Sequence, residues 1–367
     1  MSDWIAAGAA LLVSAANGAN DNSKGVATLA GSGAASQRTA LAWGTLATLG
    51  GSLCAVALSA ELARSFSGAG LVPDGLVGQQ AFVAAVALGA AGTVILATCL
   101  AMPISTTHAL TGALVGAGLA LGGELRLSTL GAKFVAPLLL SPAVALVLTM
   151  LLYPVLRRLR LQLGVTASDC VCVEGRWVPL VPQGAPGGGQ AMPLASALPV
   201  LTTCQRRYAG TLLSVEAQDA LDWVHFVSAG ATSFARGLND TPKIAALLLA
   251  AGTVSHVSGF AAIAVSMAIG GLLYAGRVSR TMSERITRMN HGQGFTANLV
   301  TAALVLFASR LGLPVSTTHV SCGSLFGLGA TTGEARWRMI ASIALAWIFT
   351  LPLAVTLSAL AAACLAG

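Results

Sequence analysis

Apolar residues in this chain come in long runs, and the few polar groups inside them fall at two recurring places. Trp4–Ala16 and Val26–Ala35 are short apolar halves around Asn17-Gly18-Ala19-Asn20-Asp21-Asn22-Ser23-Lys24. Thr39–Ala60 is uninterrupted. Gln80–Met102 and Ala109–Gly122 flank Pro103-Ile104-Ser105-Thr106-Thr107-His108, and Phe134–Leu156 follows. Arg157–Glu216 is polar, with a Gly/Pro run at Pro182–Gly189. The pattern then restarts. Asp219–Ala235 and Ile244–Ala251 flank Arg236-Gly237-Leu238-Asn239-Asp240-Thr241-Pro242-Lys243, and Val254–Gly276 is a span. Phe295–Leu313 and Val320–Thr332 flank Pro314-Val315-Ser316-Thr317-Thr318-His319, and Met339–Leu365 is last. Runs near the ~20 residues that cross a bilayer predict helices. Unalternating runs exclude a β-barrel. Glu61–Gln79 and the basic Arg277–Gly294 read as loops.

The two halves are an internal repeat. Asn20, Asp21 and Lys24 recur 219 residues later as Asn239, Asp240 and Lys243. Ser105 and His108 recur 211 residues later as Ser316 and His319, and Gly112 and Gly116 as Gly323 and Gly327. This divides the chain into a first membrane repeat, 1–156, a cytoplasmic linker, 157–218, and a second repeat, 219–367.

Composition fixes the class. The chain is 55% hydrophobic and 9% charged, against about 25% charged in a soluble domain, so an integral membrane protein is expected. The net charge of +7 does not call for nucleic acid, because the arginines sit between spans. With 157–216 placed inside, Arg38, Arg157, Arg158, Arg160, Arg176, Arg206, Arg207, Arg277, Arg280, Arg285, Arg288, Arg336 and Arg338 all fall inside. Only Arg64, Arg126 and Lys133 fall outside, which follows the positive-inside rule. Both termini are then outside, and the repeats enter the plasma (inner) membrane from opposite faces. The expected fold is an all-α polytopic membrane protein of two inverted-topology repeats. Broken or re-entrant helices would meet near the midplane, as in secondary transporters. The first run lacks a basic leader and reads as a retained span. Seven cysteines, Cys170 and Cys172 among them, show no metal-ligand pattern, so neither metal nor cofactor is expected.

Charged groups within a membrane normally face a cavity, a partner or a substrate. One Asp–Lys pair three residues apart is adequately read as a buried ion pair, but packing rarely demands the same polar set twice. Pro103 and Pro314 each start a helix whose hydroxyls and backbone N–H groups suit an oxyanion. One hydroxyl would suffice for capping. His225 and His256 read as structural; His108 and His319 stand beside the site. Asn17, Asn22, Arg236 and Arg310 are further supporting candidates.

The duplicated Gly-x-Asn-Asp motifs, at Gly18–Asp21 and Gly237–Asp240, and the paired Pro-x-Ser-Thr-Thr-His motifs resemble the inorganic phosphate transporter (PiT) family of anion permeases. The resemblance spans both repeats. It implies symport of inorganic phosphate, with arsenate as an analogue, driven by sodium or protons. It implies binding through Asn20, Asp21, Ser105, Thr106, Thr107, Asn239, Asp240, Ser316, Thr317 and Thr318. The family's commonest pattern has a second Asn four residues after the first. Here those positions are Lys24 and Lys243, which balance charge and cannot ligate sodium, so protons are favoured over sodium. A permease for another oxyanion such as sulfate is the alternative. An intramembrane hydrolase using Asp, Ser and His is the other, but it needs one asymmetric nucleophile–base pair rather than two matched half-sites. Membrane lipid is the expected surround, and a homo-oligomer is compatible with the sequence.

Overall fold

The computed structural model describes residues 2–58, 60–167, 208–212, 215–252 and 254–366. Cys170, Cys172, Arg176, Arg206, Arg207 and the Pro182–Gly189 run lie outside the described residues. Fourteen α-helices follow in order: α1 Ser2–Asp21, α2 Ser23–Ser32, α3 Gln37–Leu58, α4 Ala60–Phe66, α5 Gln80–Cys99, α6 Thr106–Ala120, α7 Leu127–Thr129, α8 Ala136–Gln162, α9 Ala217–Ala250, α10 His256–Tyr274, α11 Gly276–Arg280, α12 His291–Arg310, α13 Thr317–Thr332 and α14 Trp337–Ala366. Among the described residues six helical stretches are long and apolar enough to cross a membrane: α3, α5, Leu127–Gln162, α10, α12 and α14. Leu139, Leu140, Leu151, Ile348, Phe349 and Leu360 are exposed on α8 and α14. Exposed apolar faces of this kind suit lipid and not water.

The chain divides into two compact units, Met1–Leu159 with Leu221–Gly367, and Arg160–Ala220. In the smaller, Thr166–Ala167 pairs antiparallel with Tyr208–Ala209, and Thr211–Leu212 with Val215–Glu216. The Arg160 guanidinium lies 4.9 Å from the centre of the Tyr208 ring.

In the larger unit the two sequence halves pack through each other. A Cβ on Gly18 of α1 would lie 1.9 Å from the Met267 carbonyl oxygen of α10, and one on Gly270 of α10 would lie 1.9 Å from that of Ala15. The same pair of contacts recurs with the halves exchanged. A Cβ on Gly237 of α9 would meet the Thr48 oxygen of α3 at 2.2 Å, and one on Gly51 of α3 the Phe234 oxygen at 2.0 Å. All four residue pairs are related by the 219-residue offset. Small residues let helix backbones approach this closely in lipid. Gly112 and Gly116 of α6 seat likewise on Leu351 and Val355 of α14, and Gly323 and Gly327 of α13 on Pro142 and Leu146 of α8.

Three expectations change. The second Asn-Asp motif does not break its helix: α9 runs from Ala217 to Ala250 through Pro242. Proline removes one donor, but a membrane helix survives it where neighbours re-satisfy the freed carbonyl. The first motif interrupts its helix only at Asn22, whose φ −58° and ψ −32° stay helical. The full breaks are at the prolines, where α5 ends at Cys99 and α6 begins at Thr106. The basic 277–294 segment is not simply a loop. It holds α11 and a π-helical turn, Thr281–Arg285, with Val278, Met282 and Ile286 buried. Likewise 61–79 contains most of α4.

Candidate functional site

Helices α6 and α13 start from matching caps. Ser105 is extended at φ −93° and ψ 113°, and its hydroxyl accepts the His108 backbone N–H at 3.1 Å. Ser316 does the same for His319 at 3.2 Å. These hydroxyls cap helices, and they leave Thr106, Thr107, Thr317 and Thr318 to face the charged groups.

On the first side, the Thr106 hydroxyl donates to Asp21 Oδ2 at 3.2 Å. Lys24 donates to Asp21 Oδ1, to the Ile104 carbonyl at 2.7 Å and to the Thr318 hydroxyl. On the second side, Thr317 donates to Asp240 Oδ2 at 3.3 Å. Lys243 donates to Asp240 Oδ1 at 3.5 Å, the Val315 carbonyl at 2.7 Å and the Thr107 hydroxyl at 2.9 Å. Each lysine therefore holds the aspartate and carbonyl of its own half and a threonine of the other. Asn17 Nδ2 lies 3.0 Å from Asp21 Oδ2 and 3.4 Å from Asp240 Oδ2, so a single amide touches both aspartates. Asn17 Nδ2 also donates to Thr106 at 3.0 Å.

The outer amides anchor the prolines' helices. Asn20 donates to the Met102 carbonyl and to Thr98, both at 3.0 Å, and accepts the Ile104 N–H at 3.1 Å. Asn239 donates to the Val315 carbonyl at 3.2 Å and accepts Ser309 at 3.2 Å. Thr98 and Ser309 were not singled out by sequence, yet they too are 211 residues apart. That offset was the available signal. The Ile104 and Val315 carbonyls had none, because every residue carries one.

Arg236 occupies the position equivalent to Asn17, and the two meet: Arg236 Nη1 donates to Asn17 Oδ1 at 3.0 Å, and Nη2 to Thr48 at 3.0 Å. Its Nε is buried with no protein acceptor among the described residues. His108 and His319 pack edge to face with ring centres 4.5 Å apart. His319 Nδ1 lies 3.1 Å from the Leu138 carbonyl. The Trp347 ring is tilted at 40° with its centre 4.0 Å from that of His319, and its N–H donates to the Pro103 carbonyl at 3.2 Å. No hydrogen bond among the described residues ties either histidine to an aspartate. Two candidates are misplaced. Asn22 turns away to α3, donating to Thr45 at 2.9 Å and Leu41 at 3.2 Å. An amide one residue after the aspartate is turned about 100° around the helix axis from it. Arg310 is exposed at the end of α12.

Among the described Asp, Glu, Lys and Arg residues, only Asp21, Lys24, Arg236, Asp240 and Lys243 are buried. All five belong to this cluster. With each ionised, three cations face two carboxylates, an excess of one positive charge. Buried charge is costly unless compensated.

Residues 17–358 match the model of the phosphate transporter family. A Rhizobium meliloti protein named "Probable low-affinity inorganic phosphate transporter" is 31% identical over 80% of this chain and 76% of its own. "Inorganic phosphate transporter 2-1, chloroplastic" of Arabidopsis thaliana is 27% identical over 93% of this chain and 68% of its own. A solved structure titled "The sodium-dependent phosphate transporter" aligns with a TM-score of 0.76 at 18% identity, covering 100% of this chain and 99% of that one, and so shares the fold. The chain is an integral membrane protein, a transporter rather than an enzyme, and it belongs to the phosphate transporter family.

Proposed function

We propose that this protein is a secondary carrier that moves inorganic phosphate by proton-coupled symport, binding it between two half-sites. The observation that carries the reading is the buried cluster's single excess positive charge, set among paired hydroxyls and helix N-termini. A phosphate monoanion neutralises that excess; a dianion needs one further proton or cation. Thr106, Thr107, Thr317 and Thr318 supply hydroxyls, and Asp21 and Asp240 accept hydrogen bonds from protonated phosphate oxygens. Asn20, Asn239, Ser105 and Ser316 hold the two helix starts in place. Arg236, with Nε unpaired, supplies the charge.

Phosphate and arsenate both carry protons at neutral pH, whereas sulfate does not. A carboxylate facing sulfate has no donor to accept from, so sulfate is rejected by an unpaired group. Lys24 and Lys243 act as tethered cations where the family's commonest pattern has asparagine. The exchanged-half contacts of Gly18, Gly51, Gly237 and Gly270 support a two-fold relation between the repeats, and charge distribution supports inverted topology in a plasma membrane with both termini outside. In that arrangement the lysine–threonine bonds that cross between halves, Lys24–Thr318 and Lys243–Thr107, are the ones to exchange as access alternates.

The test is uptake of labelled phosphate into proteoliposomes with competing anions. Arsenate is expected to compete and sulfate to compete poorly, with phosphate recovered chemically unchanged. Equal competition by sulfate would transfer the assignment to a general oxyanion permease.

A further inference from the structure

A second buried polar cluster lies on one side of the core. His225 on α9 is fully buried, and its Nε2 lies 3.1 Å from the Thr28 hydroxyl of α2. Thr28 also accepts Asn298 Nδ2 at 2.8 Å, and Thr232 donates to the Asn298 carbonyl at 3.0 Å. The ring of His291, the first residue of α12, is centred 6.1 Å from that of His225. His291 Nδ1 is hydrogen-bonded to Asp222, whose side chain is 36% exposed. His225 Nδ1 is buried with no protein partner among the described residues.

Among the described residues the other half has no such cluster. The 219-residue offset carries His225, Ser228 and Thr232 onto Ala6, Ala9 and Val13, and Thr28 onto Leu247; the 211-residue offset carries Asn298 onto Ala87 and His291 onto Gln80. Ala6, Ala9, Val13, Ala87 and Leu247 are all buried in the apolar core. Packing is therefore satisfied at these positions without polar groups. Buried imidazole and amide are costly unless they are partnered or used, and this asymmetry breaks an otherwise closely matched pair of halves.

The cluster leads somewhere. Thr28 is one turn, about 6 Å, beyond Lys24 on α2, and Lys24 binds Asp21. At its other end, Asp222 reaches the surface, and His291 follows directly on the segment bearing Arg277, Arg280, Arg285 and Arg288. Of the titratable groups near His225, His291 on α12 has its ring centre 6.1 Å away, and Asp222, one turn back on α9, bonds His291. Helix α2 brings Thr28 and then Lys24, and α3 brings Trp43, which bonds the Phe226 carbonyl at 2.9 Å. Next to His291, Gln293 donates to the Tyr153 hydroxyl of α8 at 3.2 Å.

We propose that Asp222, His291, His225 and Thr28 form a one-sided proton relay between the arginine-rich membrane face and the Lys24–Asp21 pair. Imidazole accepts a proton at one nitrogen and releases one at the other. A proton leaving Lys24 as phosphate departs passes by the Thr28 hydroxyl to His225, then to His291 and Asp222, and on to water. No bond other than O–H and N–H forms or breaks. The relay rests on the proton-coupled reading above.

Proteoliposomes separate the two ideas. Phosphate–phosphate exchange at equal pH needs no net proton movement, whereas net uptake driven by a pH gradient does. In His225→Asn, exchange is expected to persist while gradient-driven uptake, with its lumenal pH change read by a trapped dye, falls about tenfold or more, the scale of losing an acid–base group. Asp222→Asn and His291→Gln, near the surface, should show the same split even if His225→Asn folds poorly. Wild-type uptake that moves no protons would defeat the coupling reading itself. Proton-coupled wild type with all three variants still coupled would overturn the relay alone. Sodium stimulation that disappears in these variants would overturn it too, and assign the cluster to sodium.

Discussion

The aspartate, lysine and serine of the two half-sites match group for group, whereas Asn20 and Asn239 take different partners and Asn17 has an arginine as its counterpart. Asp21 and Asp240 take matching threonines, Lys24 and Lys243 take matching carbonyls and cross to matching hydroxyls, and Ser105 and Ser316 cap matching helix starts. Where the first half has Asn17, the second has Arg236, and these two residues bond each other. Labour is divided between the matched and unmatched residues. The matched residues build a closed, self-satisfied frame, and the unmatched guanidinium gives that frame its net charge. The same holds one layer out, where His225 and Asn298 face a polar Thr28 while their counterparts Ala6 and Ala87 leave the other side sealed.

The largest expected effect comes from breaking the matched part. Asp21→Asn or Asp240→Asn leaves a buried lysine without its carboxylate, and losing one partner of a buried pair costs about 3–5 kcal/mol. Phosphate transport in either variant should be nearly abolished, with whatever remains less able to exclude sulfate in competition assays. Full transport in both would remove the aspartates from the site.

Arg236→Gln tests the unmatched part, because it makes the halves equal in charge. Phosphate affinity, read by titration calorimetry in detergent, should fall about 10- to 100-fold, or about 1.4–2.7 kcal/mol. Arg236→Lys should recover part of the loss. Undiminished affinity in Arg236→Gln would show that the charge excess does not bind the anion.

Much of this was legible in the sequence, for a definite reason. Polar residues are so rare in an apolar chain that a fixed offset between two sets of them stands out, and the offset gave the half-sites directly. Asn22 and Arg310 misled because proximity in sequence says nothing of helix face or of distance from the break. The continuity of α9 through Pro242 was hidden because proline ordinarily ends a helix in water but need not in lipid. The interlocking of halves was written in Gly18, Gly51, Gly237 and Gly270, but a glycine in a glycine-rich chain is a weak signal until its neighbour is known.

That interlock predicts a smaller effect. Gly270→Ala places a methyl group against the Ala15 carbonyl and should destabilise the protein by about 1–3 kcal/mol, seen as a lowered melting temperature in detergent. Gly8→Ala, with nothing within 4 Å of the new atom, should not lower it. Smallest of all, Arg310→Ala at the exposed end of α12 should not alter phosphate uptake, and a clear loss would return it to the site.

On the proton-coupled reading, two tethered ammonium groups, Lys24 and Lys243, take the place of sodium. Proteoliposomes given either an inward proton gradient or an inward sodium gradient, at otherwise equal composition, test it most directly. The account predicts concentrative phosphate uptake under the proton gradient in sodium-free buffer and none from sodium alone. Lys24→Asn and Lys243→Asn should lose proton drive and gain sodium sensitivity. Uptake that requires sodium and ignores the pH gradient would contradict it.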